Sequence, residues 1–242
     1  KFFVLPQSPQ QHKQMLMVAG FDKYYQMARC YRDEDPRGDR QPEFTQVDFE
    51  LSFVEQQDIL ELMEEYCKLL AKKYYPNRPI KADPFPVLTW KEAMDTYGID
   101  KPELRVENVK LLELTDWAKK SEFSLFQNSA CIKGMVVPKE MGRSELEKKY
   151  ESFIKNKGSK ALPWLCFTKS EGIKGSIAKF FSESALEELK TLTGIQEGVT
   201  IFFQADTWLN ACNYMGMLRN EVIKELELTK GKEEEFAFCF VV

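Results

Sequence analysis

Two stretches of the chain, residues 24–34 and 43–53, alternate between polar and apolar residues with a period of two. Such alternation is typical of β-strands, because successive side chains point to opposite faces of a sheet. Residues 35–42 are rich in Pro, Gly and Asp, as loops are. The pattern predicts an antiparallel hairpin with one polar and one apolar face. The polar face carries Gln26, Cys30, Arg32 and Glu34 of the first strand and Phe44, Gln46, Asp48, Glu50 and Ser52 of the second.

The polar face has two interpretations. A sheet surface that simply meets solvent would also be polar. A planar guanidinium beside carboxylates and amides, however, suits bidentate recognition of a phosphate or a carboxylate. The mixture of side chains on this face therefore favours a ligand-binding surface.

A short helix is predicted just upstream, over residues 9–19. Ser8 suits the N-cap, Gln11 completes a capping box with it, and Gly20 is placed to end the helix. One face near the positive N-terminal end would attract an anion. A solvated face with an ordinary lysine explains the same pattern, so the segment alone leaves both interpretations open. The residues of this face are Gln10, Lys13 and Gln14.

Three sequence motifs follow one another in the first 105 residues. They are LPQSPQQHKQ (residues 5–14), the hairpin RCYRDED (residues 29–35) with RQPEFTQVDFE (residues 40–50), and FP (residues 85–86) with YGIDKPELR (residues 97–105). The hairpin resembles motif 2 of class II aminoacyl-tRNA synthetases, and all three motifs resemble the bacterial-type aspartyl-tRNA synthetases. The resemblance implies an α+β fold containing part of the antiparallel class II catalytic sheet with flanking helices.

The resemblance also implies roles for individual residues. Lys13 would receive the side-chain carboxylate of aspartate, with Gln10 lining the same pocket. Asp48 would either orient Lys13 or meet the substrate ammonium group. Arg32 would be the catalytic residue, bridging the substrate α-carboxylate and the ATP α-phosphate. The remaining expected contacts are with ATP, from Asp33, Glu34, Gln41 and Phe44, and with the tRNA acceptor end, from Arg37 and Arg40.

The implied reaction is the ATP-dependent activation of L-aspartate to aspartyl-adenylate, followed by transfer to the 3′ end of tRNA(Asp). The attacking carboxylate is already ionised, so positioning and charge neutralisation carry the catalysis. ATP would act with Mg²⁺, whose principal ligand is expected outside this chain, and no metal ligand is expected within it. His12 lies about 100° round the helix from its neighbours and is interpreted as a packing or surface residue.

Two alternatives accompany this interpretation. A nondiscriminating enzyme of the same class would also charge tRNA(Asn), a choice that depends largely on an anticodon domain. A noncatalytic synthetase-like protein could keep the fold as an RNA-binding module. Such a scaffold need not keep the activation pocket, which here comprises Gln10, Lys13, Arg32, Glu34 and Asp48.

Composition limits the other possibilities. No apolar run approaches the roughly 20 residues that span a membrane, and no signal peptide is visible. The six cysteines show no C-x-x-C spacing, as expected in a reducing cytoplasm. The net charge of -4 confines nucleic-acid binding to a local patch. Lys1 is not an initiator methionine and residues 236–242 predict a buried strand cut in mid-element, so we interpret the chain as a fragment. The resemblance implies that the full-length enzyme is a homodimer and that this fragment alone is inactive.

The rest of the chain has a different pattern of apolar residues. An amphipathic helix is predicted over residues 56–74, and a capping box of Thr89 and Glu92 opens a short helix that ends before Gly98. Further on, predicted strands alternate with predicted helices. The strands cover residues 130–137, 163–168 and 199–204, and the helices cover residues 144–155, 184–193 and 206–226.

This later region resembles the GAD insertion of bacterial aspartyl-tRNA synthetases, through ALPWL (residues 161–165), FFQAD (residues 202–206) and MLR (residues 217–219). We expect an inserted α/β domain at residues 113–212. The class II catalytic domain would precede it at residues 1–112 and return at residues 213–242. The tryptophans of the inserted domain are expected to be core residues rather than stacking platforms. They are Trp117, Trp164 and Trp208.

Overall fold

The computed structural model describes residues 7, 9–33, 35 and 40–242. The chain folds into two compact units, Lys1–Leu69 and Leu70–Val242. We call them unit 1 and unit 2. In the described part of the chain, no helix combines the length and the hydropathy that crossing a bilayer requires.

Unit 1 is built from the predicted helix and hairpin. Helix α1 is Gln10–Val18, strand β1 is Lys23–Tyr31, strand β2 is Glu43–Leu51 and helix α2, Gln56–Tyr74, begins in this unit. Helix α1 begins one residue later than predicted, with Pro9 at the N-cap. Ser8, the predicted cap, lies outside the described residues. Gly20 ends the helix segment with a φ of 92°, a conformation that glycine adopts without strain.

The hairpin register confirms the predicted faces. Strands β1 and β2 pair in antiparallel fashion from Lys23↔Leu51 to Tyr31↔Glu43. Helix α1 packs on the polar face, where Cys30 is buried. On the opposite face Tyr25 is 78% exposed. The face that a solvated sheet would turn outward is therefore the shielded one.

Unit 2 begins within the last turns of helix α2. Its elements are β3 Val87–Leu88, α3 Trp90–Tyr97, β4 Leu111–Glu113, α4 Thr115–Ala118, α5 Ser124–Asn128, β5 Cys131–Val137, α6 Arg143–Glu145, a π-helical segment Leu146–Glu151, α7 Ser152–Asn156, β6 Trp164–Phe167, β7 Ile173–Gly175, a 3₁₀ turn Ala178–Phe180, α8 Glu183–Thr193, β8 Val199–Asp206, α9 Trp208–Glu225 and β9 Phe240–Val241.

The main sheet of unit 2 has the strand order β4-β5-β8-β6-β7, and every neighbouring pair is antiparallel. The layer expected to be α/β is thus an antiparallel sheet with helices, which is an α+β arrangement. Alternating strands and helices in a sequence do not by themselves fix the strand direction. Here strands that follow one another directly, such as β6 and β7, turn back on each other.

Two apolar clusters cover the two faces of this sheet, because successive residues of β6 and β8 point to opposite sides. One cluster includes Trp164 and the buried residues of α9, and the other includes Trp117 and those of α8. Trp117 and Trp164 are buried, as predicted. Trp208 is half-buried, and its indole N–H donates to Asp95 Oδ1 at 2.7 Å.

Several helices of unit 2 match their predicted positions. The capping box of Thr89 and Glu92 is present, and Gly98 ends α3 in the left-handed conformation. The helix predicted at residues 144–155 contains the π-helical segment, which periodicity did not predict. The wider π turn accompanies a stripe of three fully buried residues spaced four apart, Leu146, Tyr150 and Ile154. Helix α9 runs without a break through residue 212, where a domain boundary was predicted.

The C-terminal apolar run forms only a short strand. Phe240–Val241 pairs in parallel with Val87–Leu88, and residues 236–241 are half-buried rather than buried. Phe236 stacks on Phe238, whose ring lies 4.8 Å from that of Phe85. Both these ring contacts and backbone hydrogen bonds hold this run, since the Phe236 N–H donates to Pro79 O and the Phe240 N–H donates to Pro86 O, each at 2.9 Å.

Candidate functional site

The polar face of the hairpin and helix α1 together form the candidate site. Lys13 is the buried residue of α1, only 8% exposed, although the helix also contains Met15 and Leu16. Contacts at the other end of the helix hold it on the hairpin. The Ser52 hydroxyl lies 3.0 Å from Met17 Sδ on the helix, and it also lies 3.3 Å from Phe21 O, just after the helix.

Two carboxylates surround the Lys13 ammonium group. Its Nζ donates to Asp48 Oδ1 at 2.9 Å and lies 3.1 Å from Glu50 Oε2. Desolvation lowers the pKa of Lys13, but the hydrogen bonds and charges of Asp48 and Glu50 outweigh it, so the pKa is raised. Lys13 is therefore a fixed cation with one of its three N–H donors not taken by these two partners.

The second Asp48 oxygen is the open group of this cluster. Asp48 Oδ2 is buried and has no hydrogen-bond partner among the described residues. A buried carboxylate oxygen without a donor costs free energy, on the order of 1–3 kcal/mol. With one cation and two anions, the cluster of Lys13, Asp48 and Glu50 can accept a further cationic or N–H-bearing group. Asp48 thus contacts Lys13 through one oxygen, while its second oxygen has no partner among the described residues.

Arg32 and Phe44 lie at the other end of the same face. The Arg32 guanidinium carbon is 5.2 Å from the centre of the Phe44 ring, and the Arg32 N–H donates to Pro42 O at 2.8 Å. This backbone bond continues the strand pairing beyond Tyr31. An aromatic ring and a guanidinium side by side can stack on a base and neutralise a phosphate.

Other predicted site residues are placed as follows. Gln10 is exposed on α1, one turn before Lys13, and Asp33, Arg40 and Gln41 are exposed near the hairpin tip. Glu34 and Arg37 lie outside the described residues. His12 is exposed on α1, where the sequence placed it as a surface or packing residue.

Glu50 was missed as a site residue, although the alternation placed it on the polar face. The missing signal was the pairing with Lys13 across 37 positions of sequence, which only the packing of α1 on β2 brings about. Cys30 and Gln46 were likewise assigned no role. Their side chains meet on this face, with Cys30 Sγ 3.2 Å from Gln46 Oε1.

Unit 2 contains a second buried lysine. Lys133 Nζ lies 2.7 Å from Asp95 Oδ1 and 3.2 Å from Glu113 Oε2. Desolvation raises the pKa of Asp95, but hydrogen bonds from Lys133, Lys91 and Trp208 outweigh it. The pKa of Asp95 therefore lies well below its usual range. Burial raises the pKa of the nearby Cys131 thiol to about 12. The group ties α3, β4, β5 and α9 together, and its carboxylates are well supplied with donors.

A cavity of about 820 Å³ opens beside β6 and β7 in unit 2. Its charged residues are largely paired with each other, Arg143 with Glu147 and Lys174 with Glu171. Among the residues that the structure describes, no group of three His, Cys, Asp or Glu side chains could hold a metal ion. The hairpin face of unit 1 is the candidate ligand-binding site because it places a buried lysine beside a carboxylate oxygen that has no partner among the described residues.

Comparison with known proteins identifies a family and several relatives of this chain. The family described as tRNA synthetases class II (D, K and N) matches residues 1–242. An aspartate–tRNA(Asp/Asn) ligase of Chlorobium phaeobacteroides (strain BS1) is 42% identical over 100% of this chain and 40% of its own length. The aspartate–tRNA ligase of Macrococcus caseolyticus (strain JCSC5402) is 43% identical, with 100% of this chain and 41% of its own length covered. The chain spans about two fifths of the length of these curated relatives.

Proposed function

The chain belongs to the class II tRNA synthetases (D, K and N), and from that premise we propose that it is part of an aspartate–tRNA ligase. The enzyme would use ATP to convert L-aspartate into aspartyl-adenylate and would then transfer the aspartyl group to the 3′ end of tRNA(Asp). The relatives support this proposal through their names and through a similarity that extends over the whole of this chain.

The observation that carries the proposal is the burial of Lys13 against Asp48 and Glu50 on the face that also holds Arg32. A helix that packs on a sheet normally buries its apolar residues, since a buried charge is costly even when it is paired. Helix α1 buries a lysine instead. A cation held at one end of the face and a guanidinium at the other suit a small anionic amino acid joined to a phosphate.

The proposed activation step uses this arrangement directly. The aspartate α-carboxylate oxygen attacks the α-phosphorus of ATP, and the bond to the β-phosphate oxygen breaks to release pyrophosphate. Arg32 would neutralise charge on the α-carboxylate and the α-phosphate, and Phe44 would stack on adenine. Lys13 would hold the substrate side chain with its remaining N–H, while Asp48 Oδ2 would accept from the substrate ammonium group.

Further ATP and tRNA contacts are proposed from the resemblance. Asp33, Glu34 and Gln41 would contact ATP, Gln10 would line the aspartate pocket, and Arg37 and Arg40 would meet the tRNA acceptor end. Mg²⁺ would neutralise the ATP phosphates, with its principal ligands elsewhere in the enzyme. We further propose a homodimeric, cytoplasmic enzyme in which residues 113–212 are a GAD insertion.

Aspartate-dependent exchange of pyrophosphate into ATP tests the activity, in the full-length enzyme that contains this chain. Exchange with aspartate and not with asparagine is expected. Exchange that ignores aspartate would refute the proposal.

A nondiscriminating enzyme is the second candidate, because the Chlorobium and Hydrogenobaculum relatives are named aspartate–tRNA(Asp/Asn) ligases. Aminoacylation of purified tRNA(Asn) beside tRNA(Asp) separates the two candidates. Equal charging would identify the nondiscriminating form, and charging of tRNA(Asp) alone would exclude it.

A further inference from the structure

The pair formed by Cys30 and Gln46 lies at the middle of the candidate site. Cys30 is on β1, only 1% exposed, and its thiol donates to Gln46 Oε1 at 3.2 Å. Its other recorded acceptor, Ala28 O, is more distant at 3.8 Å. The thiol has thus one short contact, and that contact is with a side chain rather than with the backbone.

A thiol hydrogen bond fixes the orientation of an amide. The Gln46 side chain has one acceptor oxygen and an NH₂ group with two donors, and the two ends are nearly equal in shape. With Oε1 taken by the thiol, the NH₂ group is turned away from Cys30. Among the described residues, that NH₂ group has no hydrogen-bond partner.

The strand register places Gln46 between the two ends of the site. On β2, Phe44 and Asp48 are its neighbours on the same face, each about 7 Å away along the strand. A ligand that reaches from the Lys13 cluster to Arg32 therefore passes Gln46. Under the proposed function, the anionic group at this point is the substrate α-carboxylate, which an amide NH₂ attracts and an amide oxygen repels.

We propose that Cys30 is a positioning residue, whose thiol holds the Gln46 amide with its donors toward the substrate carboxylate. This inference rests on the proposed function and adds to it a residue that touches no substrate atom. It also gives a reason for a buried thiol beneath a polar surface, where an apolar residue would pack equally well.

The test is pyrophosphate exchange by the full-length enzyme, with aspartate and ATP varied separately. Cys30→Ala should lower kcat/KM for aspartate roughly three- to tenfold, the effect of one ordinary hydrogen bond, and leave KM for ATP within twofold. Cys30→Ser keeps a donor and should recover most of the loss. Cys166→Ala and Cys166→Ser, at a buried cysteine of unit 2, are the matched controls.

A double-mutant cycle shows whether Cys30 acts through Gln46. Cys30→Ala in a Gln46→Ala background should cost nothing further. Gln46→Glu, which lacks the donors, should lower kcat/KM for aspartate at least tenfold and tests the inference even if Cys30→Ala does not fold.

Three results would overturn the inference while leaving the proposed function intact: an unchanged Cys30→Ala enzyme, a Cys30→Ser enzyme as impaired as Cys30→Ala, or additive effects in the cycle. An unchanged Gln46→Glu enzyme would overturn it as well. Failure of the proposed function looks different, because the unmodified enzyme would then show no aspartate-dependent exchange.

Discussion

Two buried lysines, Lys13 of unit 1 and Lys133 of unit 2, have similar surroundings, but the carboxylates around them differ in how completely they are hydrogen-bonded. Lys13 and Lys133 each meet two carboxylates, and for each the pKa is raised because its ion pairs outweigh desolvation. Around Lys133, Asp95 accepts from three donors. Around Lys13, one oxygen of Asp48 has no partner among the described residues. A saturated buried ion pair is typical of structural support, whereas an unsaturated one indicates a place for a ligand.

The packing around the Lys13 cluster also differs from the packing around the Lys133 cluster. Lys133 lies in a unit whose sheet has an apolar cluster on each face. Lys13 lies in a unit whose hairpin shields its polar face and exposes apolar side chains such as Tyr25. We therefore interpret the buried charges of unit 2 as structural support and those of unit 1 as part of a ligand site. Four measurements test this distinction.

The largest effect is expected from Asp95→Ala, which leaves the Lys133 ammonium, 2% exposed, with Glu113 as its remaining carboxylate. Loss of one partner of a buried pair should lower the free energy of unfolding by about 4 kcal/mol. Urea unfolding of the chain measures it, with Glu122→Ala at an exposed position as control. A change below about 1 kcal/mol would show that the cluster is not a structural support.

Arg32→Ala should abolish adenylate formation in the full-length enzyme without unfolding it, because the guanidinium lies beside Phe44 and outside the buried core. Loss of a charge-assisted contact to the transition state should cost about 3 kcal/mol, over a hundredfold in rate. Pyrophosphate exchange measures the rate, and circular dichroism checks the fold. Activity within threefold of the unmodified enzyme would remove Arg32 from the catalytic role.

The same substitution at both lysines compares the clusters directly. Lys13→Met should raise KM for aspartate about tenfold or more and change KM for ATP little, because Lys13 lies at the amino-acid end of the site. Lys133→Met should leave both KM values near normal and act on stability alone. If the two variants changed KM for aspartate equally, the distinction between the clusters would be wrong.

The smallest effect is expected in the dependence of the free energy of unfolding on acidic pH. The folded-state pKa of Asp95 is lowered, so its stabilisation is present above the unfolded-state pKa of about 3.9 and is lost as the pH falls toward the folded value. The free energy of unfolding should therefore decrease more between pH 6 and pH 3 in the unmodified chain than in Asp95→Asn. Glu122→Gln provides the control, and identical slopes for Asp95→Asn and the unmodified chain would contradict the assignment.

Local patterns in the sequence predicted the hairpin, the long helices and three strands of the main sheet, but not the short elements β4, α4, α5 and β7. The alternation around Arg32 set the strand faces, and the bounds of α2 and the capping box at Thr89 are as predicted. What escaped prediction depends on long-range packing. Glu50 meets Lys13, and Asp95 meets Lys133, across more than 30 positions of sequence, and no periodicity reports such contacts.

The sequence predicted which residues belong to the candidate site, but not how their charges pair with one another. The sequence left open whether Asp48 orients Lys13, and the structure shows their contact at 2.9 Å. The roles of these residues toward aspartate and ATP remain proposals. Periodicity could not predict the contact between Cys30 and Gln46, because such a contact depends on side-chain rotamers.

Helix α9 has a consequence for protein engineering and for evolution by recombination. Because Trp208–Glu225 is one continuous helix, a module exchanged at residue 212 would arrive with only the first part of the helix and leave the longer remainder behind. The two parts share one buried face, which includes Cys212, Met215 and Leu218. Crossover points that preserve function should therefore fall before Thr207 or after Leu226, and chimeras joined inside the helix should express poorly.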